Sequence, residues 1–153
     1  MACPFFMPIE KLENGAWPHA ARLPLGCGWS GHCAAPGHEG EIPSQQELEE
    51  FCNLGYAANC ARLPADRLWD SVRFDARTVC VEANSSAISH IQVRYVCERA
   101  HYPGEHGTLE FDSVRERWEK RHGDDRIQRM AECFVASYLD KKKSREVSYE
   151  TAS

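Results

Sequence analysis

Residues 90–98, HIQVRYVCE, place Ile91, Val93, Tyr95 and Cys97 on one side of an extended chain, with Gln92, Arg94 and Glu98 mainly on the other. A period of two predicts a strand with one dry face and one wet face, which Val96 interrupts. Shorter stretches repeat the pattern: Val72 and Phe74 around Arg73, Val79 and Val81 around Cys80, then Leu109 and Phe111. Turn residues separate them at Asn84-Ser85-Ser86 and Pro103-Gly104. Three or four antiparallel strands in one sheet are expected. The period then changes to that of a helix. Ile127, Met130, Ala131, Phe134, Val135 and Tyr138 form a stripe suited to covering the sheet's apolar face, with Asp124 or Asp125 as cap.

Two shorter helices carry a capping-box signature, in which a serine and a glutamate three residues later satisfy each other's backbone donors. Ser44 and Glu47 open the first, with Leu48, Phe51 and Cys52 on one face and Asn53 and Gly55 at its end. Ser113 and Glu116 predict the second, with Val114 and Trp118 on one side and Gly123 beyond it. Residues 1–43 show neither period. Prolines and glycines recur through them, so a metal ion or the packing of Phe5, Phe6, Trp17 and Trp29 must hold the segment. The fold class read from these patterns is α+β. An irregular cysteine-rich region with a short helix (1–62) precedes a small antiparallel sheet with C-terminal helices (63–140), in one integrated domain. A polar tail (141–153) follows.

Composition narrows the function classes. A chain of 153 residues with 42% hydrophobic and 27% charged positions suits one globular domain. The net charge of -5 arises in residues 1–60, where seven acidic residues face two basic ones. Bulk attraction to nucleic acid is therefore not expected. Arg115, Arg117, Lys120 and Arg121 read as a solvated helix surface. No stretch approaches the ~20 apolar residues of a membrane span. The start, MACPFFMPIEKLENG, lacks a leader pattern, so the cytoplasm is the expected location and the eight cysteines are expected reduced.

The cysteines divide by setting. Cys80, Cys97 and Cys133 fall in regular elements and read as buried small hydrophobes. Cys3, Cys33, Cys52 and Cys60 fall at bends or a helix edge and form the candidate ligand set. Cys27 competes with Cys33, because GCGWSGHC permits either thiol to enter; Cys33 is preferred as nearer in the chain to the Ser44 helix. Four scattered thiolates without a short CxxC knuckle lead us to expect a [4Fe–4S] cluster in a structural or electron-transfer role. Zinc, in a zinc-stabilised protein-interaction module, is the alternative. Arg22 and Arg62 are candidate charge partners and His32 a substitute ligand. The implied partner is a redox or interaction protein.

Enzymatic signals are thin. Cys97 and His101 offer a nucleophile and base with Glu98 or Glu105 nearby, but strand periodicity points Cys97 inward. His101 and His106 bracket the HYPGEH turn, where polar residues are ordinary. No phosphate-binding glycine loop, dinucleotide fingerprint or HExxH helix is present. Whether the chain is an enzyme stays open.

Overall fold

The computed structural model describes residues 2–12, 23–57, 59–79 and 90–151. Their elements are β1 (Phe6–Lys11), β2 (Trp29–Cys33), α1 (Gln45–Glu47) running into a π-helical turn (Leu48–Cys52), β3 (Ser71–Val79), β4 (His90–Arg99), β5 (Tyr102–Asp112), β6 (Arg117–Lys120) and α2 (Asp125–Thr151). This is the expected α+β class, with N-terminal cysteine-bearing strands and a short helix, then a four-stranded antiparallel sheet packed by a C-terminal helix. The expectations for Trp17, Arg22, Cys80, Val81 and the turn at 84–86 lie outside the described residues.

The main sheet runs in the order β3-β4-β5-β6. Alternation along β4 buries Ile91, Val93 and Cys97, and β5 adds Leu109 beside Val93. α2 covers this face in two patches. Ala131 and Val135 meet Ile91, Val93 and Leu109, while Ile127, Met130 and Cys133 meet Val72, Cys97 and the N-terminal Phe6, Leu25 and Trp29. Each aliphatic side chain buried in this way contributes about 1.5–3 kcal/mol. The helix therefore joins the N-terminal segment and the sheet through one shared core. The opposite sheet face displays Arg73, Asp75, Arg94 and His106, as expected of an antiparallel sheet with one wet side.

Part of the segment expected to be irregular is a hairpin. β1 and β2 pair antiparallel, with a bulge between Pro8 and Glu10. Pro8 has no N–H to give a ladder. Its carbonyl and that of Ile9 accept from Arg129 of α2, each at 2.8 Å, which closes the outer edge of β1. The capping box at Ser44 forms as read, with both reciprocal bonds present.

The second box does not make a helix. The Asp112 carboxylate accepts the Val114 and Arg115 amides at 2.9 and 3.0 Å, closing a turn that competes with helix initiation. Glu116 takes a positive φ of 53°, and the chain returns as β6 with Trp118 against Phe111. The basic residues read as a helix surface thus lie on a turn and an edge strand. α2 also continues to Thr151, through residues expected to form a tail, because Lys and Glu favour a helix without an apolar stripe. Among the described residues, no helix is long and apolar enough to cross a membrane.

The β4–β5 reversal falls at Ala100 and His101 rather than at Pro103-Gly104, which lies within β5. Both turn residues take positive φ (50° and 66°), a conformation two-residue hairpins require and glycine adopts most easily. His101 is held there by its stack on Tyr56, with ring centroids 4.2 Å apart, and by its N–H donating to the Tyr56 hydroxyl at 3.1 Å. Ala100→Gly is expected to stabilise the protein by about 0.5–1 kcal/mol. A lower midpoint in urea unfolding would show the strain to be absent.

Candidate functional site

Two groups of potential ligands result from this fold. The first gathers cysteines from four separate segments. Ala2 and Val72 exchange two backbone hydrogen bonds, at 2.7 and 2.9 Å, and the next amide, that of Cys3, donates to the Cys52 carbonyl at 3.1 Å. This fastens the start of the chain beside the π-helical turn. Cys33 ends β2, where its amide donates to Glu41 at 2.8 Å. Cys60 sits in the turn after Ala57. All four thiols line one small, largely apolar cavity with Phe5, Phe51 and Arg62. They are close enough that, once ionised, each pair among the four repels.

Polar groups in the cavity are aimed at sulfur. The Ala35 amide donates to Cys33 Sγ at 3.4 Å; the Phe5 and Phe6 amides favour the ionised form of the Cys3 thiol, while the hydrogen bond of the Phe6 amide goes to the Cys3 carbonyl at 3.1 Å. Arg62 pairs with Glu47 through Nη1, and its buried Nε, without a hydrogen bond among the described residues, stands 3.6 Å from the Glu41 carboxylate. Burial pushes the Cys3 thiol up to about 11 against the pull of those amides. Burial, reinforced by Cys3, Cys60 and Cys33, pushes Cys52 well up, and burial also raises Cys33 against the Ala35 amide and Arg62. Without a cation these groups hold their protons at neutral pH.

Cys27 does not line that cavity. Its sulfur lies 3.2 Å from Ser137 Oγ on α2. His32 pairs across the hairpin with Met7, one residue before Cys33 and so on the other strand face. Cys97 and His101 do not meet. Cys97 is fully buried, its thiol donates to Glu105 at 3.6 Å, and burial with that carboxylate raises it to about 12, which leaves it a poor nucleophile. Cys133 is buried in the shared core, as its sequence setting implied.

The second group was missed in the sequence. His90 opens β4 and faces Asp112, the last residue of β5, across the ladder. Between Glu110 and Phe111 the β5–β6 register skips Glu119, leaving it as the extra residue of a bulge. A bulge re-aims a side chain. Donor atoms of His90, Asp112 and Glu119 all lie within 4.8 Å of one another, with His90 half-buried, Asp112 buried and Glu119 exposed. The Arg115 amide, against the opposing effect of burial, and then the Val114 amide hold the Asp112 carboxyl below the ordinary aspartate range. Arg115 and Arg117 stand 3.9 Å from Asp112 and Glu119, loose ion pairs that a bound cation would replace.

The expected [4Fe–4S] centre, with its structural or electron-transfer role, is corrected by this arrangement. The described donors gathered within one ion's reach are an imidazole and two carboxylates, and they include no thiolate. A cubane is held by four thiolates. Nitrogen and oxygen donors suit a mononuclear, zinc-type ion instead, so the zinc alternative is the better supported cofactor. No protein-family model matches the chain, and neither does any curated protein or solved structure.

Proposed function

We propose that this chain is a zinc-stabilised protein-interaction module whose ion is held by His90, Asp112 and Glu119. The observation that carries the reading is the approach of three donors, from three different strands, to within 4.8 Å. An ion at that point ties the start of β4 and the end of β5 to the short edge strand β6, which has only three ladder pairs of its own. The imidazole favours zinc over magnesium, which prefers oxygen ligands. Its role is to hold the end of the sheet, and with it the polar outer face that a protein partner meets. The free thiols at the seven described cysteines support a reducing, cytoplasmic setting, and the net charge of -5 disfavours nucleic acid as partner.

Calorimetric zinc titration of the metal-free, reduced chain tests the site. His90→Ala is expected to weaken one class of zinc binding by at least about tenfold, and Glu119→Gln to weaken the same class. Zinc should also slow amide hydrogen exchange in β6 of the unaltered protein. If both variants bind zinc as the parent does and β6 exchange ignores the metal, the reading fails.

A further inference from the structure

The cavity lined by Cys3, Cys33, Cys52 and Cys60 belongs to other segments of the fold than the His90 group and asks for its own explanation. Four thiols brought together from four places in the chain repel one another once ionised, so thiolates here need a cation to share their charge. Three observations point to what that is. All four sulfur-bearing side chains line one small cavity. The amide two residues downstream donates to sulfur at Cys33, and the corresponding amide at Cys3 favours the ionised form of that thiol. Arg62 lines the cavity, and its buried Nε has no hydrogen bond among the described residues, only an ion pair with Glu41 at 3.6 Å. Amide donors and a cation around sulfur stabilise thiolates rather than thiols.

We infer that Cys3, Cys33, Cys52 and Cys60 form a second metal site, a tetrathiolate that takes one thiophilic, zinc-class ion and fastens the N-terminal segment to the sheet. Binding one divalent ion displaces the four thiol protons to solvent and leaves a net charge of about -2 on the ion and its ligands. Arg62 and the Phe5 and Ala35 amides face that charge. Among the described residues, no three of these sulfurs lie within the 4.8 Å that separates the His90 group. An ion with Zn–S bonds of about 2.3 Å therefore draws them inward. Of the four, Cys60 lies in a turn outside any strand or helix and has the most freedom to shift, whereas Cys3 and Cys33 are tied by backbone hydrogen bonds to Cys52 and Glu41. The Cys52 π-helical turn is held more firmly by Asn53.

The test uses the full-length, reduced, metal-free chain with zinc alone as the probe, followed by thiol alkylation and peptide mass mapping. Zinc is expected to slow alkylation of Cys3, Cys33, Cys52 and Cys60 together by at least about tenfold, while Cys27 keeps its rate. The same protection should persist in His90→Ala, which separates this site from the one on the sheet. Cobalt(II) titration gives a second readout: a thiolate-to-cobalt charge-transfer band in the parent and in Cys27→Ser, reduced in Cys52→Ser and Cys60→Ser. Zinc that leaves the four rates unchanged overturns the inference. So does a cobalt spectrum without the thiolate band, or equal loss of that band in Cys27→Ser and Cys52→Ser.

Discussion

Asn53→Ala is expected to destabilise the protein by about 4 kcal/mol and lower its melting temperature by about 10 °C. Asn53 is 1% exposed, and its carboxamide lies along the open edge of β2 like one peptide of a missing strand. Oδ1 accepts the Trp29 amide at 3.0 Å, and Nδ2 donates to the Trp29 and Leu48 carbonyls at the same distance. Truncation removes those partners where water has little access, and each buried polar group left unpaired costs about 1–3 kcal/mol. Leu48 O keeps the Asn53 backbone amide, so the loss falls mainly on Trp29. Asn53→Asp separates hydrogen bonding from volume. It fills the same space but sets a carboxylate oxygen against two carbonyls, and should cost at least as much as alanine. Denaturant unfolding of the two variants decides the matter; if both stay within about 1 kcal/mol of the parent, the amide bridge is not what holds β2 to the π-helical turn.

Gly31→Ala should be comparably damaging, at about 3 kcal/mol or more, for a steric reason. A Cβ built on Gly31 would stand 2.0 Å from the Met7 carbonyl oxygen and 2.9 Å from Pro8 Cα. Both obstacles are backbone, so no rotamer change relieves the clash and β1 must separate from β2. That movement drags Phe6 out of the shared core and disturbs the chain leading to Cys3. Gly123→Ala is the control, since nothing lies within 4 Å of its added methyl and the change should be nearly neutral. Far-ultraviolet circular dichroism and urea unfolding of the pair report the difference. Equal stability of Gly31→Ala and Gly123→Ala would mean that the hairpin has slack at its closest approach.

The most local features were also the most legible. Alternation along β4 and the helical stripe from Ile127 to Tyr138 depend on neighbours within a few positions, and both pack as their periods imply. The Ser44–Glu47 box is equally local and forms. The Ser113–Glu116 box failed because Asp112, just outside it, took the Val114 and Arg115 amides first, and because Trp118 packs more favourably on Phe111 across the sheet.

The candidate ligands divide in the same way. Placing Cys3, Cys33, Cys52 and Cys60 at bends was a statement about local chain direction, and the four do line one cavity; whether Cys27 or Cys33 belonged could not be read locally, since α2, more than a hundred residues later, supplies Ser137 as the neighbour of Cys27. His90, Asp112 and Glu119 left no mark in the sequence at all. Their meeting depends on the register of β4 against β5 and on one residue bulging from β6, distances along the chain over which no pattern in the residues themselves operates. Sequence by itself determined which stretches become strand and helix and which faces are dry, because burial acts residue by residue. Tertiary structure decided which polar side chains share a point in space, because that depends on how separate elements register against one another.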